Sequence, residues 1–180
     1  AMAAQGRDIK MSMTRLESYR NFATKIWNAC RFLQINGCTS GDGDFDLSSV
    51  NEPVNRWIVA EYDEAIARVT TAIENYRFNE AADAIYSFVW HSYCDWYVEL
   101  IKPQLGDEAR ETRATAATIL RGALRLLHPF MPYLTEELNE KIFASSDMMI
   151  TQSWPDAVGL AESDAPEEIR HLINVISEIR

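Results

Sequence analysis

Glycine, proline and cysteine are all scarce in this sequence, and each scarcity excludes a class of protein. The 180 residues include seven glycines and six prolines, too few for the frequent turns of an all-β fold. The three cysteines, Cys30, Cys38 and Cys94, form no CxxC pair, and an odd number fits no disulfide framework. No apolar run approaches the roughly 20 residues of a membrane span, and the N-terminus has no signal-peptide pattern. We therefore expect reduced thiols, no membrane partner and a cytoplasmic location.

Apolar side chains and negative charge are abundant. Apolar residues make up 47% of the chain and aromatic residues 11%, which excludes intrinsic disorder and suits one domain with a real core. The net charge is -10, yet residues 1–35 contain six basic and only two acidic residues. Any contact with a polyanion is therefore expected in this N-terminal segment. Chance clustering of the basic residues explains the asymmetry equally well.

Apolar spacing of three and four residues predicts helices through most of the chain. Asn36-Gly37 is a C-terminal stop for the first helix, Pro53 suits the first turn of the second, and Pro103 ends the third. The predicted helices cover residues 12–35, 53–76, 79–101, 107–127 and 132–143. Helices joined by short connections form an antiparallel bundle, so the predicted fold class is all-α, with the bundle spanning residues 12–146.

The segments after the bundle differ in character. Residues 147–164 are predicted to form an extended stretch, around Met148–Ile150, followed by a polar linker. Residues 165–180 regain helical spacing but contain no stop signal. We expect them to be the start of a truncated helical region.

Motifs for catalysis and metal binding are incomplete. Asp42, Asp44 and Asp46 match the first ligands of an EF-hand loop, but Leu47 stands where glycine is required. The three histidines are widely separated, and no phosphate-binding glycine loop or Ser/His/Asp set is present. We therefore predict no catalytic residue and no metal ligand in this chain. Asp95, within an aromatic run, is interpreted as a structural hydrogen-bond acceptor.

The first helix has an apolar face and a polar face. At about 100° per residue on a helical wheel, the apolar residues fill one arc and are predicted to be buried. They are Leu16, Tyr19, Phe22, Ala23, Ile26, Trp27, Ala29, Cys30 and Leu33. The opposite arc is polar and consists of Glu17, Arg20, Asn21, Thr24, Lys25, Asn28 and Arg31. Phe32 lies within this polar arc, and Lys25 and Arg31 are predicted to face solvent.

An aromatic ring among cationic and amide side chains suits RNA. Rings stack on unpaired bases, Lys and Arg bind phosphates, and Asn can read a base edge. The alternative is that Phe32, near the end of its helix, folds onto a neighbouring loop. Helical spacing alone leaves both interpretations open.

Several runs of residues resemble the anticodon-binding domain of valyl-tRNA synthetases, a family of class I aminoacyl-tRNA synthetases. The runs are residues 6–10, 20–32, 56–58, 75–82, 94–99 with 102–103, and 127–138. The last is shared across class I enzymes, whereas the first-helix run and Cys94-Asp95-Trp96-Tyr97 point to the valyl family. Asn55 and Asn139 depart from the family pattern and are interpreted as surface or packing changes.

The resemblance implies a function for the bundle. Enzymes of this family join valine to its tRNA, using ATP with magnesium in a catalytic domain that this chain lacks. Residues 1–11 resemble the connector from that domain. The implied partner is tRNA(Val), with no DNA, and the implied state is a monomer that holds no cofactor in this chain.

The resemblance also assigns roles to residues of the first helix. Phe32 would stack on an anticodon base, while Lys25, Asn28 and Arg31 would contact bases or phosphates. Arg20 and Asn21 complete the implied tRNA-binding set.

Two alternatives remain open at this point. The chain can be the equivalent domain of an isoleucyl-tRNA synthetase, or a helical protein-interaction module that binds no RNA. The net charge of -10 favours the second, because negative charge weakens nonspecific RNA binding. The polar arc that contains Phe32 favours RNA recognition.

Overall fold

All regular secondary structure in the part of the chain that the structure describes is helical. The computed structural model describes residues 12–39, 45–106, 109–161 and 163–179. The predicted connector, residues 1–11, lies outside these ranges, as do Asp42 and Asp44 of the acidic loop. No β-strand occurs in the described residues, and the predicted all-α class is confirmed.

The α-helices follow the predicted segments closely. They are α1 (Met13–Ile35), α2 (Pro53–Glu74), α3 (Phe78–Ser87), α4 (Val98–Ile101), α5 (Arg110–Leu127), α6 (Pro132–Phe143) and α7 (Ala165–Ile179). Between α3 and α4 the chain continues without a break as a π-helical segment, Phe88–Tyr97. In the described residues no helix is both long enough and apolar enough to cross a membrane.

The helices begin and end at the predicted signals. The amide of Asn36 donates to the Phe32 carbonyl at the end of α1, and Gly37 follows with a positive φ of 67°. Pro53 and Pro132 occupy the first turns of α2 and α6.

The long third helix is not the regular α-helix predicted over residues 79–101. Hydrogen bonds in its π-helical segment join residues five apart, for example the Val98 N–H and the Tyr93 carbonyl. Residues five apart diverge by about 140° around an α-helix, but they lie on the same side of a π-helix. Trp90 and Asp95 are five apart and are thereby brought to one side of this helix.

The core lies between α1, α2, the π-helical segment and α5. Tyr93 and Tyr97 are fully buried, and the Tyr97 hydroxyl donates to Asn55 Oδ1 at 2.9 Å. Asn55 in turn donates from Nδ2 to Glu111 Oε1 at 2.9 Å. Asn55 and Asn139 are both buried, so their departures from the family pattern are packing changes, not surface changes.

The predicted buried face of α1 is confirmed only from Phe22 onward, and even there Ala23 and Trp27 are only half-buried. Phe22, Ile26 and Leu33 are buried. Leu16 and Tyr19 are 43% and 42% exposed, because α1 meets the rest of the bundle only from Phe22 onward.

The region after α6 packs back onto the bundle. The expected extended stretch at Met148–Ile150 is instead a short 3₁₀ turn, Met149–Thr151. Met149 is buried there, and its N–H donates to the Glu136 carboxylate at 3.0 Å. Further along, α7 packs against α2, where Arg170 Nε donates to Glu61 at 2.8 Å.

Candidate nucleic-acid interface

The polar face of α1 is open along most of its length. Arg20, Asn21, Asn28 and Arg31 are exposed, as the helical wheel predicts. Among the described residues, neither Arg20 nor Arg31 has an ion-pair partner. The helix therefore presents two cations and two amides on one exposed surface.

Lys25 lies at the edge of this surface and is only partly exposed, whereas the helical wheel predicts that it faces solvent fully. Its side chain is only 25% exposed, because its ammonium forms an ion pair with Asp95 Oδ1. The same Nζ lies 3.8 Å from the centre of the Trp90 ring, a cation–π contact. The interpretation of Asp95 as a hydrogen-bond acceptor is confirmed.

The Trp90 ring that contacts Lys25 is part of a group of packed aromatic rings. Trp90 stacks on Tyr86 with ring centres 5.6 Å apart, and Phe22 lies 4.7 Å from the Tyr86 ring. Burial, together with the carboxylates of Asp95 and Asp83, raises the pKa of the Tyr86 phenol, so this group stays neutral near pH 7. The stack holds the Trp90 ring in place beneath the ammonium.

Phe32 is half-buried, so it is neither a free platform nor a core residue. Its ring packs against the hydrophobic core, and Lys102 Nζ lies 5.7 Å from the ring centre. Lys102 is exposed and pairs with Glu99 at 2.5 Å. The Phe32 ring therefore lies beside the end of α4. This position is similar to the alternative interpretation, in which the ring folds onto a neighbouring segment.

Two residues beside the polar face were missed in the sequence. Trp90 belongs to none of the candidate site residues that the sequence indicates, and Lys102 stands only within a run that resembles the family. α-Helical spacing gives no signal for Trp90, since its partnership with Asp95 requires a π-helix. Lys102 approaches Phe32 only through tertiary packing.

One stripe of α1 carries three of the predicted residues. Lys25, Asn28 and Phe32 are separated by three and four positions, which places them in a row. At about 1.5 Å per residue the row is about 10 Å long. Three stacked nucleotides, at about 3.4 Å each, have a similar length.

The buried cysteines are chemically inert. Burial raises the pKa of the Cys94 thiol to about 12 and that of Cys38 to about 11, and it raises the pKa of Cys30 further still. Thiolates are therefore rare near pH 7. In the described ranges, no group of three or more His, Cys, Asp or Glu could hold a metal ion.

Comparison with known proteins identifies the family of this chain. The sequence profile described as the anticodon-binding domain of tRNA ligase matches residues 55–180, a stretch that begins after α1. A valine–tRNA ligase of Caulobacter vibrioides is 49% identical over 189 residues, covering 100% of this chain and 21% of that protein. Another, of Rhodopseudomonas palustris, is 50% identical over 168 residues, covering 91% of this chain and 18% of that protein.

A solved structure shares the fold. The Agrobacterium radiobacter K84 LeuRS–tRNA–LeuAMS ternary complex superposes with a TM-score of 0.61 at 21% identity, covering 83% of this chain and 18% of that chain. The present chain spans about a fifth of the length of the valine–tRNA ligases that it matches. It belongs to the family of anticodon-binding domains of tRNA ligases, and the relatives that share about half of its residues are valine–tRNA ligases, as the resemblance predicts.

Proposed function

We propose that this chain recognises the anticodon of tRNA(Val) as the anticodon-binding domain of a valine–tRNA ligase. The observation that carries the proposal is the exposed face of α1. It combines exposed cations (Arg20, Arg31), amides (Asn21, Asn28) and one aromatic ring (Phe32) in a chain that is otherwise acidic. These are the groups that bind phosphates, read base edges and stack on bases.

The length of the surface suits three unpaired bases. Phe32 lies at one end of the row on α1, Asn28 in the middle and Lys25 at the other end. A stacked base on Phe32 would have the exposed ammonium of Lys102 beside it. Arg31 and Arg20 lie farther round α1, in position to bind backbone phosphates.

The chemistry of the whole ligase belongs to parts of the protein outside this chain. We propose that the parent enzyme joins valine to tRNA(Val) and uses ATP with magnesium in its catalytic domain. This chain contributes tRNA binding, acts as a monomer in the cytoplasm and binds no cofactor. The exposed row on α1 supports only the tRNA-binding part of this proposal.

A filter-binding titration tests the proposal. The purified chain is titrated against tRNA(Val) transcripts with the native anticodon and with each anticodon base replaced in turn. We expect the native anticodon to bind most tightly and each replacement to weaken binding roughly tenfold. Equal affinity for all transcripts would contradict anticodon recognition and favour the protein-interaction alternative.

Variants with matched charge locate the surface. Arg31→Ala removes an exposed cation from α1, whereas Arg68→Ala removes one from α2, whose contacts lie with α3 and α7. If Arg31 binds a phosphate, its loss reduces the slope of log K against log salt by about 0.7 for a single strand. Arg68→Ala should leave that slope unchanged, and equal slopes for both variants would exclude Arg31 from the site.

A further inference from the structure

We infer that Asp95, held beside Lys25, reads the base-pairing edge of an amino base, adenine or cytosine, in the bound anticodon. This inference rests on the proposed function. It assigns a specificity-determining role to a residue that the sequence marked only as structural. The observation behind it is a hydrogen-bond donor and an acceptor fixed side by side at the end of the α1 row.

The Lys25–Asp95 pair retains hydrogen-bonding capacity toward solvent. An ammonium has three N–H donors. One N–H of Lys25 donates to Asp95 Oδ1, and the centre of the Trp90 ring lies 3.8 Å from Nζ. A further N–H is left to donate to a ligand. Asp95 is 39% exposed, and His91 Nδ1 lies 3.5 Å from its Oδ2, at the outer limit of a hydrogen bond. A ligand can therefore meet one donor and one acceptor together.

The pair is poorly suited to a phosphate. The positive charge of Lys25 is offset by the carboxylate of Asp95, and that carboxylate would repel an approaching phosphate. A base edge is neutral and carries both donors and acceptors. The pair therefore suits a base better than the RNA backbone.

The pattern of the pair selects among the bases. Adenine and cytosine each present an exocyclic amine beside an unprotonated ring nitrogen, so the amine can donate to Asp95 and the ring nitrogen can accept from Lys25. In a base held in that same orientation, guanine and uracil present a carbonyl beside a ring N–H, which reverses the order of donor and acceptor; they could meet the pair only if turned over. Carboxylates are known partners of the cytosine amine.

The π-helical segment fixes this geometry. Trp90 and Asp95 both contact the Lys25 ammonium although they are five residues apart. With α-helical spacing they would point about 140° apart, and only one of them could face α1. The Trp90 ring fixes the ammonium from one side while Asp95 fixes it from another, so the pair is oriented before RNA arrives.

The experiment removes the amine from the RNA and the carboxylate from the protein, separately and together. Adenosine is replaced by purine riboside and cytidine by zebularine, each of which lacks only the exocyclic amine, at each anticodon position of tRNA(Val) that carries such a base. Binding is measured for the wild-type chain and for Asp95→Asn, which preserves the shape of the side chain. Glu99→Gln is the matched control, because Glu99 also pairs with a lysine nearby on the same long helix.

For the wild type and for Glu99→Gln, we expect amine removal at one anticodon position to weaken binding about tenfold, within the range for a specific base contact. For Asp95→Asn we expect intact tRNA to bind about tenfold more weakly and amine removal at that position to have no further effect. A structural role for Asp95 alone cannot produce this dependence on one atom of the RNA.

Two results would overturn the inference. One is an equal loss on amine removal in the wild type and in Asp95→Asn. The other is no loss in the wild type at any position while whole-base replacements still weaken binding, which would leave anticodon recognition intact without Asp95. If base replacements have no effect either, the proposed function fails together with the inference.

Discussion

Phe32 and Lys25 show how single contacts define the proposed surface. Each side chain leaves α1 toward the third helix and meets a charged partner there: Lys102 beside the Phe32 ring and Asp95 at the Lys25 ammonium. Both residues are consequently less exposed than Asn28 and Arg31, which face away from the bundle. The contacts reduce the side-chain entropy that RNA binding would otherwise cost.

Substitution of Phe32 separates stacking from packing. Phe32→Ala should weaken tRNA binding by about 1–3 kcal/mol, through loss of base stacking, and should also lower the melting temperature, since the ring is half-buried. Phe32→Leu retains apolar bulk and should lose affinity with a smaller loss of stability. Both quantities follow from filter binding and thermal denaturation. Unchanged affinity in Phe32→Leu would show that the ring serves packing alone.

At the scale of helices, close approach between α2 and α5 determines the centre of the bundle. Gly122 on α5 is buried against Tyr62 of α2, and a Cβ added at Gly122 would overlap the Tyr62 hydroxyl. Burial strongly raises the pKa of that phenol, so it is neutral in the packed state. The two helices can approach this closely only because residue 122 has no side chain.

The variant Gly122→Ala tests this contact. Overpacking should destabilise the fold by about 1–3 kcal/mol in urea denaturation. The double variant Gly122→Ala/Tyr62→Phe removes the overlapping oxygen and should recover part of that loss. Strict additivity of the two substitutions would show that the helices relax apart and that the close approach is not required.

Across the whole molecule, basic residues are in excess in residues 1–35 and acidic residues are in excess in the remainder. The chain carries a net charge of -10, whereas residues 1–35 carry an excess of basic residues, so negative surface elsewhere disfavours RNA away from α1. The last helix, α7, is held against α2 by the ion pair between Arg170 and Glu61. The region after α6 is also attached at Asp63, whose carboxylate accepts from the Val158 and Gly159 amides at 2.8 and 2.9 Å.

We expect the purified chain alone to show no valine-dependent exchange of pyrophosphate into ATP, because its sequence contains no phosphate-binding glycine loop. A full-length valine–tRNA ligase, assayed in parallel, is the positive control. Exchange above background that rises with the concentration of the purified chain would contradict this expectation.

The sequence by itself determined the helices, their approximate ends and the family. Local signals suffice for these: three-and-four spacing predicts a helix, Asn36-Gly37 and Pro53 mark helix ends, and short runs such as Cys94–Tyr97 carry the family resemblance. It also placed Arg20, Asn21, Asn28 and Arg31 on an exposed face, since a wheel describes an isolated helix correctly wherever nothing packs against it.

Only the tertiary structure decided which polar side chains of α1 are fully exposed and which are covered by other helices. Lys25 is partly covered by Asp95 and Trp90, which lie 65 or more positions away in the chain and whose alignment depends on π-helical hydrogen bonds. Leu16 and Tyr19 stayed exposed because α1 extends beyond its neighbours there. Periodicity records which face of a helix is apolar, whereas the partner on that face, and the point where contact begins, depend on long-range packing that no local pattern contains.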